Sequence, residues 1–151
     1  MHRTRLIGTA ILALTLSAVL GTACTKNADN TTPGTTGTTG TTAVRVSHID
    51  LGRDLTADKM IGNRTDSFKP NDTIYASVAT EGAAPSTTIK ARWTYQDGQI
   101  VSESTQTIAP TGDARTEFHV SKPDGWPAGK YKIEVLVNGA TAGTKEFDVT
   151  Q

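Results

Sequence analysis

The sequence predicts an all-β fold: one sandwich of two sheets, built from seven strands, over residues 43–151. Three observations carry that expectation. Apolar and polar residues alternate with a period of two in nearly every apolar segment, which places one strand face in a core and the other in water. Two dipeptides suited to tight hairpins, Asp97-Gly98 and Asn138-Gly139, punctuate the alternation. No segment carries a convincing helical stripe. The stretch is long enough for one hydrophobic core and too short for two.

The elements follow in order. Val44 and Val46 open a first strand, and His48, continuing that alternation, is expected at the edge of the core. Leu55 to Met60 is the one place where a turn of helix is expected. The turn Lys69-Pro70-Asn71-Asp72 leads into a strand carrying Ile74, Ala76 and Val78, with Tyr75 out of phase and therefore on the outer face. In the strand 87–96, Ile89, Ala91, Trp93 and Tyr95 alternate with Lys90, Arg92, Thr94 and Gln96, and the two-residue loop Asp97-Gly98 folds it onto 99–108. Thr116, Phe118 and Val120 form a strand whose outward side carries His119. The loop Lys122-Pro123-Asp124-Gly125 follows. Tyr131, Ile133, Val135 and Val137 alternate with Lys130, Lys132 and Glu134, and Asn138-Gly139 returns that strand as 140–150. Leu136 breaks the alternation and is expected at an edge or a contact.

Trp93, together with the run Trp126-Pro127-Ala128-Gly129-Lys130-Tyr131-Lys132-Ile133-Glu134-Val135, resembles the bacterial immunoglobulin-like and fibronectin type III-like modules. The Pro-x-Gly-x-Tyr-x-Ile run is similar to their tyrosine corner, in which the phenol bonds back to the preceding loop. The resemblance implies structural roles for Trp93 and Tyr131 and a seven-stranded immunoglobulin-like sandwich. The cysteine pair of antibody domains is missing, so hydrophobic burial must supply the driving force. This fold hosts many functions, and the resemblance names none of them.

The N-terminus concerns location. Arg3 and Arg5 precede an apolar stretch from Leu6 to Leu20, followed by Gly21-Thr22-Ala23-Cys24. A basic start, a short apolar middle and a small-residue end make a secretory signal, and the apolar part is short for a membrane span. The end of the signal resembles the lipobox of bacterial lipoproteins, although Gly21 stands where that pattern usually has Leu. The resemblance implies removal of residues 1–23, a diacylglyceryl lipid on Cys24 and anchoring in the cell envelope. Thr25, a non-acidic neighbour, implies the outer membrane if the cell is Gram-negative. Gly21 and Ala23 also suit an ordinary signal peptidase, which would release a soluble chain with a free thiol. Cys24 is the only cysteine, so no internal disulfide is available to it; lipidation explains both its presence and its solitude. Residues 24–42 read as a lipidated cysteine and a Thr/Gly-rich linker. With nothing to bury, the linker is expected to be a flexible tether spanning on the order of 20–25 Å on average.

The domain shows little catalytic chemistry. His48 and His119 are the only histidines beyond the signal, and no Gly-x-Ser-x-Gly elbow presents a serine. No His or Cys pair has zinc-ligand spacing. Asp50, Asp54 and Asp58 recur every fourth residue but lack the Asp-x-Asp-x-Asp-Gly calcium loop, and a solvated face is expected instead. The 15 Lys and Arg less Arg3 and Arg5 leave 13 against 15 Asp and Glu, so no basic field awaits a nucleic acid. No metal or cofactor is expected beyond the lipid on Cys24. The candidate ligand-binding residues are Trp126, placed between turn formers, with Tyr75 and Asp124: an aromatic face with a polar rim suits sugars, although Trp126 also fits as a cap on the sandwich. The leading expectation is therefore a non-enzymatic, membrane-tethered module contacting an envelope protein, with strand addition at a sheet edge as the route. The alternatives are a module for cell-wall or surface polysaccharide and, ranked lower, an inhibitor of an envelope hydrolase.

Overall fold

The structure, a computed structural model, describes residues 40–151. Cys24, the signal segment 1–23 and all of the linker before Gly40 lie outside the described residues. Eight strands are present: β1 (Thr42–Gly52), β2 (Ser67–Phe68), β3 (Ile74–Ala83), β4 (Thr87–Tyr95), β5 (Gln99–Ile108), β6 (Ala114–Val120), β7 (Gly129–Val137) and β8 (Ala140–Val149). They form a three-stranded sheet in the order β1-β3-β6 and a five-stranded sheet in the order β2-β8-β7-β4-β5. All pairings are antiparallel except β2 with β8, which is parallel.

The alternating residues explain the layers. Ile74, Ala76 and Val78 of β3 face Ile89, Ala91 and Trp93 of β4 and Ile133 and Val135 of β7, and all are essentially inaccessible. Aromatic rings close one part of this core. Tyr131 stacks on Phe147 with centroids 5.3 Å apart and an interplanar angle of 14°. Phe68 and Trp93 meet Phe147 edge-on at 5.5 and 5.9 Å. Such offset and edge-on arrangements suit the ring quadrupoles. With no disulfide among these residues, this burial is the main stabilising contribution.

Several expectations need correction. The strand count is eight rather than seven because β2 is only two residues long, too short to show any period. It is held from outside its own sequence. The Arg53 guanidinium donates to the Ser67 carbonyl at 2.7 Å and lies 5.6 Å from the Phe68 ring centre, and the Thr150 amide donates to the Phe68 carbonyl at 2.9 Å. The loop between β4 and β5 has three residues, Gln96-Asp97-Gly98, not two: Gln96 and Gly98 both take positive φ, and Tyr95 pairs with Gln99. Asn138-Gly139 is the two-residue loop expected, with φ of 49° and 86°. Leu55 to Met60 forms no helix. Leu55 bridges Ile61 across a tight turn, closed by the Thr56 amide on the Met60 carbonyl at 2.8 Å. His48 does not face the core edge. Val46 pairs with Thr80 and His48 with Ala79, so Ser47 is an extra residue. This bulge re-phases the strand, turning Ile49 and Leu51 inward and His48 outward.

Candidate functional site

Trp126 does not offer a sugar platform. The turn before it, with Gly125 at φ +79°, delivers the indole inward, where it is 4% exposed. Its backbone amide donates to the Pro70 carbonyl at 2.7 Å and its Nε1 to the Asp72 carbonyl at 3.0 Å. Its ring meets Tyr131 edge-on at 5.7 Å. The Tyr131 hydroxyl donates to the Pro127 carbonyl at 2.8 Å, the bond back to the preceding loop that defines a tyrosine corner. Burial first, and then the neighbouring Tyr95, pushes the Tyr131 phenol above its ordinary pKa, which keeps it a donor. Asp72 completes this corner. Burial would raise its pKa, but the Lys69 amide and the Arg53 guanidinium outweigh that and hold it below the ordinary carboxylate range.

The Asp124 side chain, by contrast, is 93% exposed, with Lys122 as its ion-pair partner at 4.0 Å. Tyr75 is half-buried on the outer face of the β1-β3-β6 sheet, its ring 5.6 Å from that of His119. Trp126 faces inward and Tyr75 outward, so the structure does not join the three sequence candidates into one surface.

The acids at 50, 54 and 58 do not converge either. Asp50 is 6% exposed and pairs with Arg64 at 2.9 Å and His48 at 2.8 Å. Asp54 accepts from the Asn63 amide, and Asp58 stands exposed in the turn. Among the described residues no group of three or more His, Cys, Asp or Glu is arranged to hold a metal ion.

The surface with the clearest capacity to bind is the free edge of β5. Among the described residues this strand pairs only with β4, so its far side presents backbone N–H and C=O groups that no described strand pairs. Ile100 and Val101 are exposed there, at 55% and 39%. Trp93 pairs with Ser102 and Thr94 with Ile100, which makes Val101 the extra residue of a bulge. Charge on the strand is confined to Glu103, and that carboxylate is committed. The Arg92 hydrogen bond at 2.6 Å is the main cause of its lowered pKa, helped by Lys90 and opposed by partial burial. The inward side of β5 carries Ser102, Ser104 and Gln106, all half-buried. Gln106 reaches across to donate to the Glu117 carbonyl of β6, occupying one group of that edge.

The opposite edge of this sheet is better guarded. The end of β8 is covered by β2, and its Lys145 is paired with Asp66 at 2.9 Å; edge charges and covers of this kind suppress unwanted pairing. β5 lacks Lys and Pro, keeping only its bulge and Glu103 as protection. Sequence reasoning did not single out Ile100 and Val101, although their place after a hairpin glycine, without alternation, was the available signal.

No protein-family model matches the chain, and no curated protein matches it. Among solved structures it is similar to an immunoglobulin-like protein from Pseudomonas aeruginosa, with 16% identity over 73% of this chain and 98% of that one and a TM-score of 0.49. It is also similar to a CARDB domain from Pyrococcus furiosus solved in complex with di-metal ions, with 15% identity over 72% and 86% of the two chains and a TM-score of 0.43. A third similarity is to an alkylpurine DNA glycosylase from Pseudomonas fluorescens bound to DNA, at 17% identity and a TM-score of 0.47, covering 72% of this chain but only 30% of the glycosylase. Strand order is the ground for the fold. β1, β3 and β6 face β8, β7 and β4, β5 extends the second sheet, and β2 runs parallel to β8. The described domain is an immunoglobulin-like β-sandwich.

Proposed function

We propose that this chain is a non-enzymatic, lipid-anchored module of the cell envelope that binds a protein partner in extended form along β5. The carrying observation is the ten-residue free edge with Ile100 and Val101 exposed at its start. An extended segment laid there would gain main-chain hydrogen bonds for affinity and side-chain contacts for choice. The anchor rests on Cys24 and the apolar segment before it, and the Thr/Gly-rich linker gives the domain reach from the membrane. The glycan reading loses its central ring, because Trp126 is packed inward, and no observation favours the inhibitor reading.

The test replaces Ile100 and Val101 together with lysine in the full chain and follows in-cell crosslinking to envelope proteins. Loss of a defined adduct, with the melting midpoint unchanged, supports the edge. An adduct that persists at full yield removes β5 as the contact.

A further inference from the structure

A different surface carries a second, independent inference. The outer face of the β1-β3-β6 sheet is partly roofed by the turn around Lys59, whose carbonyl accepts a hydrogen bond from the buried Ser77 hydroxyl. Beside this contact lies a cleft of about 590 Å³, lined by residues that include Ser47, Asp58, Lys59, Ala79, Asp113 and Arg115, within the range of small-molecule sites.

The charges in this cleft are unusual for the molecule. Of the arginines among the described residues, Arg45, Arg53, Arg64 and Arg92 each sit against a carboxylate. Arg115 alone has no ion pair among the described residues. Its Nη1 donates to the Ser77 hydroxyl at 3.2 Å, which fixes one corner of the guanidinium and leaves its other N–H groups without an acceptor among the described residues. Among the described residues Lys59, Asp58 and Asp113 form no ion pair either, whereas Glu81, which also lines the cleft, is engaged by Arg45. Two cations and two of the three carboxylates that line this cleft therefore form no ion pair among the described residues.

We infer that this cleft binds a small zwitterion: a free amino acid or a short peptide with both termini unblocked. Arg115, half-buried and pre-oriented by Ser77, takes the carboxylate with its free N–H groups, a geometry the planar guanidinium matches better than an ammonium does. Asp58 and Asp113 take the ligand ammonium, and the methyl group of Ala79 supplies an apolar patch between the poles. Such a ligand satisfies both signs of charge at once. A blocked peptide strands one of them.

The experiment titrates the full chain with alanyl-alanine and follows backbone amide resonances. In parallel it uses the N-acetylated and the C-amidated dipeptides. The expected result is saturable shifts at Ala79, Thr80 and Ala114, with affinity falling about tenfold or more for either blocked form. Arg115→Gln should weaken binding by a similar factor while leaving the melting midpoint unchanged. Asp113→Asn, in an exposed turn, serves as the second variant and should weaken the unblocked dipeptide but not the acetylated one. Absence of saturable shifts up to about 10 mM, an affinity too weak for a built site, overturns the inference. Equal binding of the amidated dipeptide also overturns it, as does unchanged binding by Arg115→Gln. The β5 edge lies on the other sheet, so failure here leaves that reading standing.

Discussion

Tyr131 and Trp126 hold one end of the sandwich by complementary means: the phenol closes a hydrogen bond on Pro127, and the indole fills space while donating to Asp72. Tyr131→Phe keeps the ring stack on Phe147 and removes one hydrogen bond to the Pro127 carbonyl, so it should cost about 1 kcal/mol, read from urea unfolding. Trp126→Ala removes a large, nearly inaccessible ring and should cost about 3–5 kcal/mol; a loss under 1 kcal/mol would mean that the ring is not packed as described. Asp72 adds a pH dependence. Its carboxyl is held below the ordinary range in the folded chain, so its contribution is present above the unfolded carboxylate pKa and is lost as pH falls through the lower, folded one. Asp72→Asn should therefore flatten the acid limb of stability against pH while lowering stability near neutrality.

At the scale of the element, the places of the hairpins were the most legible part of the chain, because Asn-Gly and Asp-Gly mark turns, although only Asn138-Gly139 is the two-residue loop expected. Gly139 sits at φ +86° with open space around its Cα, so Gly139→Ala should cost roughly 1 kcal/mol through backbone strain alone, measured as a shift in the unfolding midpoint. The bulges were not legible. An extra residue such as Ser47 or Val101 leaves no mark in composition, yet each reverses which neighbours face the core. β2 was hidden for a different reason: a two-residue pairing is decided by Arg53 and Thr150, distant in sequence. Ile100 and Val101 follow the same pattern, since only the fold shows that β5 has no strand beyond it. Because both are exposed, replacing them with lysine should change stability by no more than about 0.5 kcal/mol, which separates a binding defect from a folding defect.

For the whole molecule, fold class was readable because period-two alternation and turn residues agree across most of the long strands, and local preferences that agree with the global fold are what a foldable sequence requires. The candidate surfaces were not readable. The cleft at Arg115 is assembled from β1, the turn at 57–59, β3 and β6, and the identity of its unpaired charges depends on which arginines the fold satisfies elsewhere. Trp126 shows the opposite hazard: its turn-rich neighbours left both an exposed platform and a cap on the sandwich open, and those turns steer it inward, where it is 4% exposed. At this scale the proposed lipid anchor makes its own prediction. Cys24→Ala should move the chain from the membrane fraction to the soluble fraction without altering the folded domain, checked by fractionation and by its unfolding midpoint.

The central claim is that β5 is where this domain meets a protein partner. The most direct test places a photo-crosslinking residue at Gln99, Ile100 or Thr105 in the full chain in living cells, with Asp124 and Thr141 as control positions. The account predicts one defined protein adduct from the β5 positions and none from the controls. Equal labelling at all positions, or an adduct confined to Asp124, would contradict it and place the contact elsewhere on the sandwich.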